Sequence, residues 1–179
     1  MMKRIIQLAT VLLLAACATP ADVRTVQAPG ADVGKFRTFA FVQGDLKASG
    51  AIADAKVRER LQYQIAIHLG SRGYTPAPPG QAADLGVHYV GRVNQAQNEL
   101  MTGYPGLYEY RGGNVDLGGI SSLDYRQGTL VIDLFDRAGK QLLWRATIAE
   151  SFAASYTEEN WKKLDAALGR AFKDLPARR

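Results

Sequence analysis

Few residues in this sequence are of a type that does chemistry. The single thiol is Cys17, the only imidazoles are His68 and His88, and the 17 carboxylates are scattered. A metal site needs three or four His, Cys, Asp or Glu ligands brought together. Neither histidine has such neighbours in the sequence, so no metal and no cofactor are expected. His68 is read onto the solvent side of a helix and His88 onto the open face of a strand. A nucleophilic serine belongs on a strained strand-to-helix turn, whereas Gly119-Ile120-Ser121-Ser122-Leu123 lacks the glycine of such an elbow and precedes no helix. Among the carboxylates, Glu158-Glu159 fall in the first turn of a helix, where the dipole favours negative charge, and Asp84 and Asp124 mark strand starts. Enzymatic function is the least favoured reading.

Cys17 stands apart because of what precedes it. Met1-Met2-Lys3-Arg4 is positive, and Ile5 to Ala16 is apolar except for Gln7 and Thr10. That is the layout of an export signal, and it is shorter than the ~20 apolar residues a spanning helix needs. Leu14-Ala15-Ala16-Cys17 resembles the lipobox of bacterial lipoproteins. Leu14, Ala15 and Ala16 are then read by the signal peptidase, the small side chains of Ala15 and Ala16 allowing the extended backbone into a narrow site. The Cys17 thiol takes a diacylglyceryl group, and cleavage frees its α-amine for a further acyl chain. One chain gives marginal, reversible binding, at about 0.8 kcal/mol per buried methylene, while two or three hold permanently. Acylation also explains a lone cysteine in an exported protein. The similarity to Gram-negative lipoproteins extends to sorting, where Asp after the cysteine favours inner-membrane retention; Ala18 implies the periplasmic face of the outer membrane. The expected partners are therefore membrane lipid, through acylated Cys17, and the lipoprotein processing and sorting machinery.

Two further groups of residues are candidates for binding. Asp133 and Arg145 fall on facing strands, diagonal to one another on the face away from the helices. They read as a patch for a polar ligand or, as the favoured expectation, a cross-strand bridge worth up to roughly 1 kcal/mol. Tyr104, Tyr108 and Tyr110 lie in a segment from Glu99 to Asp124 that also holds Gly112-Gly113 and Gly118-Gly119. Tyrosines offer rigid amphipathic contact area and glycines adaptability, as in binding loops. A stretch of this length without a period is a functional loop or a disordered excursion.

The elements that must position these groups follow from periodicity. Removing 16 of 179 residues leaves 163, enough for one domain. Residues 17–33 read as a lipidated, Pro/Gly-marked tether with an extended edge segment at Asp22 to Val26, and 34–179 as the globular domain. Lys35 to Val42 is a strand. Val57, Leu61, Ile65 and Leu69 recur every four residues, predicting a helix over 52–71. Tyr74-Thr75-Pro76 begins a short extended piece, and Asp84 to Val93 alternates as a half-buried strand. Thr129 to Asp136 and Lys140 to Phe152 form a hairpin, for which a three-residue turn with Gly139 left-handed puts Leu134 opposite Leu142, Ile132 opposite Trp144 and Leu130 opposite Ala146. A register one residue longer would set Arg145 opposite Ile132 on the apolar face. Ser155-Tyr156-Thr157-Glu158 is a capping box opening a helix with Trp161, Leu164, Leu168 and Phe172 at helical spacing. The fold class is α+β, a mainly antiparallel sheet with two helices on one face, in the order β-α-β-β-β-β-α with one strand short.

Charge adds little. The formal +5 includes Lys3 and Arg4, so about +3 remains on the mature chain, with only Lys162-Lys163 and Arg178-Arg179 adjacent. Export removes nucleic acid from reach, and none is expected as a partner.

Phe36-Arg37-Thr38-Phe39-Ala40-Phe41, Arg72-Gly73-Tyr74, Ala83-Asp84-Leu85, Gly128-Thr129-Leu130-Val131-Ile132-Asp133-Leu134-Phe135-Asp136 and Leu143-Trp144-Arg145 together resemble bacterial lipoproteins that share domain of unknown function 4136. The resemblance covers nearly all of the mature chain. It implies the envelope address and the fold, and carries over no catalytic residue. The leading expectation is a non-catalytic envelope lipoprotein binding a protein or other envelope component. The alternative is a carrier of lipid or a small apolar ligand.

Overall fold

The computed structural model describes residues 21–42, 54–91, 107–110, 113–116, 129–149 and 157–179. Along the chain these form β1 (Asp22–Gln27), a 3-10 turn (Val33–Lys35), β2 (Thr38–Phe41), α1 (Ala55–Ser71), β3 (Thr75–Pro76), β4 (Leu85–Gly91), β5 (Leu107–Tyr110), β6 (Gly113–Asp116), β7 (Thr129–Asp136), β8 (Gln141–Ala149) and α2 (Glu158–Lys173). The class is α+β, as the periodicity predicts. The sheet runs β3-β2-β4-β7-β8, with β1 added along β8 and the β5–β6 hairpin joined to β8 at Gln141.

The sheet is mixed. β2 lies parallel to both β3 and β4, because α1 carries the chain back across the sheet between them. β4–β7, β7–β8 and β1–β8 are antiparallel. Asp84 fixes the parallel start: its carboxylate accepts from Arg37 N and Thr38 N at 2.9 Å each, while Thr38 Oγ1 accepts from Asp84 N at 3.0 Å. These backbone donors hold the Asp84 carboxyl below its ordinary value.

Both helices pack on one face. Leu61, Ile65 and Leu69 of α1 are buried, as their four-residue spacing requires. Asp54 caps this helix, accepting from Lys56 N at 2.7 Å, so it starts three residues later than predicted. α2 buries Trp161, Leu164, Ala167, Leu168, Ala171 and Phe172. Its cap is Thr157, whose hydroxyl accepts from Asn160 N at 3.2 Å, rather than Ser155. Against these helices lie Leu85 and Val87 of β4, Leu130, Ile132 and Leu134 of β7, and Trp144, Ala146 and Ile148 of β8.

Three further expectations need correction. The edge segment expected at Asp22 to Val26 is present as β1, paired with β8 from Asp22↔Ala149 onward, but the rest of the stretch to residue 33 is no tether, since Ala28 and Val33 are buried. Within the segment 99–124, residues 107–110 and 113–116 are paired strands, with Tyr108 opposite Val115 and Tyr110 opposite Gly113. In the β7–β8 hairpin, Asp136 faces Gln141 and Phe135 faces Leu142, after which the register shifts and Leu134 faces Trp144. Leu143 is thus an extra residue on β8, a bulge that bends the strand and re-aims the side chains beyond it. The turn has four residues, Arg137 to Lys140, and its left-handed position is Lys140 (φ 50°), not Gly139. Gly139 leaves room for the Asp136 carboxylate. A Cβ there would lie 2.8 Å from Asp136 Oδ2, and Asp136 Oδ1 is accepting from Ala138 N at 2.9 Å.

Candidate functional site

The second face of the sheet, away from the helices, is buried along β7 and β8, and that burial is invisible to a reading of the sequence. On β7, Thr129, Val131, Asp133 and Phe135 are all buried, and on β8 Leu142, Arg145 and Thr147. The alternation that puts Ile132 and Ala146 on the helix face puts Asp133 and Arg145 on this one. Four strands contribute to one row across it: His88 of β4 opposite Asp133 of β7, Asp133 opposite Arg145 of β8, and Arg145 opposite Val26 of β1.

In that row Arg145 grips Asp133 side-on. Its Nε donates to Oδ1 at 2.6 Å and its Nη2 to Oδ2 at 2.9 Å. The side chains are 1% and 4% exposed. This corrects the expectation of a diagonal surface bridge worth up to 1 kcal/mol, because the pair is directly opposed and out of water. For such a pair the desolvation of two charges is of the same order as their attraction, so the cost of breaking it lies in the charge left behind. The flanking rows are mostly apolar. On one side Val90 faces Val131, and on the other Gly86 faces Phe135, with Leu142 and Ala28 packed against the Phe135 ring. That ring lies over Gly86 so closely that a Cβ would stand 2.2 Å from its Cζ, and only glycine fits beneath it.

His88 Nδ1 stands 4.0 Å from Asp133 Oδ2, beyond hydrogen-bond length. Burial pushes its pKa down, the Asp133 charge pulls it up, and Arg145 pushes it down again. The net direction is downward, so His88 is neutral at pH 7. It lines the second face as expected, but that face is closed. Thr147 lies two residues beyond Arg145 on the same face, and its buried Oγ1 has no hydrogen-bond partner. The sequence carries one signal for it, the alternation Arg145-x-Thr147.

The other histidine sits elsewhere than predicted. His68 is half-buried between the helices, stacked on Phe172 at 5.9 Å between centroids, with Nε2 3.0 Å from Asp165 Oδ1. The cross-helix ladder continues with Arg60, which forks onto Glu158 and lies over the Trp161 ring at 4.7 Å. Among the described residues no group of three or more His, Cys, Asp or Glu side chains converges. Leu14, Ala15, Ala16, Cys17, Ala18 and Tyr104 lie outside the described residues. Tyr108 and Tyr110 fall in β5, and among the predicted site residues whose side chains are described the structure brings Asp133 and Arg145 together.

Chemically, the Asp133–Arg145–His88 row is built to hold charge in place. Each carboxylate oxygen has an arginine donor and the imidazole is held neutral.

No curated protein matches this chain. Among solved structures it is similar to a DUF4136 family protein from Bacteroides thetaiotaomicron, at TM-score 0.59 and 16% identity, covering 86% of this chain and 94% of that one. It is also similar to the PelC dodecamer from Paraburkholderia phytofirmans, at TM-score 0.50 and 12% identity, covering 89% and 99%. At these identities the likeness is one of fold. The profile of one family, described as Domain of unknown function (DUF4136), matches residues 23–177, from β1 through the end of α2, and the chain belongs to that family.

Proposed function

We propose that this protein is an envelope lipoprotein, cleaved before Cys17, acylated there, and held at the periplasmic face of the outer membrane, where its domain binds a protein or other envelope component without catalysing a reaction. The observation that carries the reading is Leu14-Ala15-Ala16-Cys17 behind a positive and then apolar leader, with no other cysteine in the chain. Acyl chains are then the membrane attachment, and among the described residues no helix is long and apolar enough to cross a bilayer. The non-catalytic part of the reading is supported by the state of the one buried polar cluster found among the described residues, whose carboxylate is forked by an arginine and whose histidine is neutral.

Metabolic labelling with an alkyne fatty acid tests the anchor. Wild-type protein takes the label and fractionates with outer membranes, Cys17→Ala takes none, and Ala18→Asp shifts the protein toward the inner membrane. A wild-type protein that stays unlabelled and soluble overturns the reading. In-cell cross-linking tests the binding function. A specific neighbour that disappears in a folded surface variant supports it, and no specific neighbour under several growth conditions counts against it.

A further inference from the structure

The place where β1 joins the sheet fixes how the domain meets the lipid, provided that Cys17 is acylated as proposed above. β1 is no loose edge. Six residues from Asp22 to Gln27 pair with β8, Val23 packs on the core, Thr25 Oγ1 donates to Asp174 Oδ2 at 3.0 Å, and Arg170 Nη2 donates to Ala21 O at 3.3 Å. The chain is therefore fixed to the sheet from Asp22 onward. From Cys17 to Asp22 are five residues, and a fully extended chain covers at most ~3.6 Å each, or about 18 Å. A tether running to residue 33 would have allowed roughly three times that reach.

We infer that the acylated cysteine holds the domain against the bilayer by one end, the end where β1 starts and β8 finishes. Asp22, paired with Ala149, faces the headgroups there, and Arg24 lies two residues further along. The opposite end stands away from the lipid. It carries the β7–β8 turn, where Asp136 meets Gln141, and Arg178 and Arg179, whose backbone N–H groups donate to Arg72 O and Gly34 O. Between Ala149 and Gln141 the strand rises about 27 Å over eight steps. A partner in the periplasm thus meets the β7–β8 turn, Arg178 and Arg179 first.

The test uses full-length lipidated protein in phosphatidylcholine vesicles containing an acceptor dye on the headgroup. A donor fluorophore is placed on Arg24→Cys or on Ala138→Cys, Cys17 being blocked by its acyl group. The acyl mass on Cys17 is measured on the same samples. The expected result is roughly twofold or greater energy transfer from position 24 than from position 138, given the strand rise of about 20 Å from Thr147, opposite Arg24, to Gln141 at the turn. Inserting about twelve Gly/Ser residues after Ala18, which adds roughly 19 Å of flexible reach, is expected to abolish most of the difference. Equal transfer from both positions in acylated protein with its native tether overturns the inference and leaves the lipoprotein reading standing. A difference that survives the insertion also overturns it, since the domain surface and not the tether would then set the orientation. Absence of the acyl mass overturns the lipoprotein reading itself and the inference with it.

Discussion

Replacing Arg145 with methionine takes both arginine donors away from the Asp133 carboxyl, which is 4% exposed. Methionine keeps much of the volume, so the effect is electrostatic rather than a cavity. Removing one partner of a buried pair costs about 3 to 5 kcal/mol, because the remaining charge is neither solvated nor paired. In a domain of this size that lowers Tm by roughly 2 to 4 °C for each kcal/mol, hence about 6 to 20 °C. Asp133→Leu alone takes the carboxylate away from the Arg145 guanidinium and is expected to destabilise as well. The double variant Asp133→Leu/Arg145→Met removes both charges at once and is expected within about 1 kcal/mol of wild type, since apolar replacement of a whole buried pair is often neutral or stabilising. The signature is therefore a coupling of several kcal/mol between the two sites. Urea unfolding of the non-acylated mature chain, followed by the buried Trp144 and Trp161, reads it directly. A single variant that loses under about 1 kcal/mol would mean the pair behaves as a surface bridge. Additive losses in the double variant would mean that shape and not charge matters at these positions. Either result refutes the reasoning.

His88 gives a pH dependence of defined sign. Its folded pKa lies below 6.5, so the unfolded chain binds the proton first, and stability falls as pH drops from about 6.5 toward the lower folded value. Urea midpoints between pH 7 and 5 measure this slope, and His88→Gln is expected to flatten it; an unchanged slope refutes the assignment. Gly86→Ala drives a Cβ into the Phe135 ring and is expected to cost about 1 to 3 kcal/mol as overpacking. Phe135→Leu in the same chain should recover part of that loss, whereas further loss would show that the ring contact is not the cause. Thr147→Val removes a buried hydroxyl that has no partner and is expected to be neutral or to raise stability by up to about 1 kcal/mol. A loss above about 1 kcal/mol would mean that the hydroxyl has a role in the folded state.

Much of the fold is legible because the chain changes period where it changes structure. The four-residue spacing of Leu61, Ile65 and Leu69 and the run from Trp161 to Phe172 announce α1 and α2, and all of these spaced apolar side chains are buried. β1 is legible only as an edge segment within a tether because its pattern is polar and its burial partial, the strand being ordered by its ladder to β8 and not by an apolar face of its own. β5 and β6 fall in a segment rich in Tyr and Gly without an alternating period, so nothing local marks them as paired. At the site, alternation puts Asp133 and Arg145 on one face, but only the folded chain reveals that this face is closed to water. That closure changes a weak bridge into a costly buried pair, and turns His88 from a ring on an open face into a neutral one beside it.

The β7–β8 hairpin departs from its predicted register even though the premise behind that register is sound. A four-residue turn continued without interruption from Asp136↔Gln141 would bring Arg145 opposite Ile132, on the face that packs against the helices. That objection favours a shorter turn. The protein keeps the longer turn and answers the objection with one extra residue, Leu143, so that Arg145 arrives opposite Asp133 instead. The extra residue is itself buried in the helix-side core, and Leu142 is turned to the other face against Phe135. A slip of one residue exchanges the faces of every side chain beyond it. Here it would drive a guanidinium into the apolar layer between sheet and helices and leave Asp133 unpaired, a penalty of the size worked out above for breaking the pair. The ion pair therefore need not add net stability to be useful to this fold. Its contribution is to make the unbulged register expensive, which ties the position of the bulge to the chemistry of two residues that a reading of the surface would dismiss.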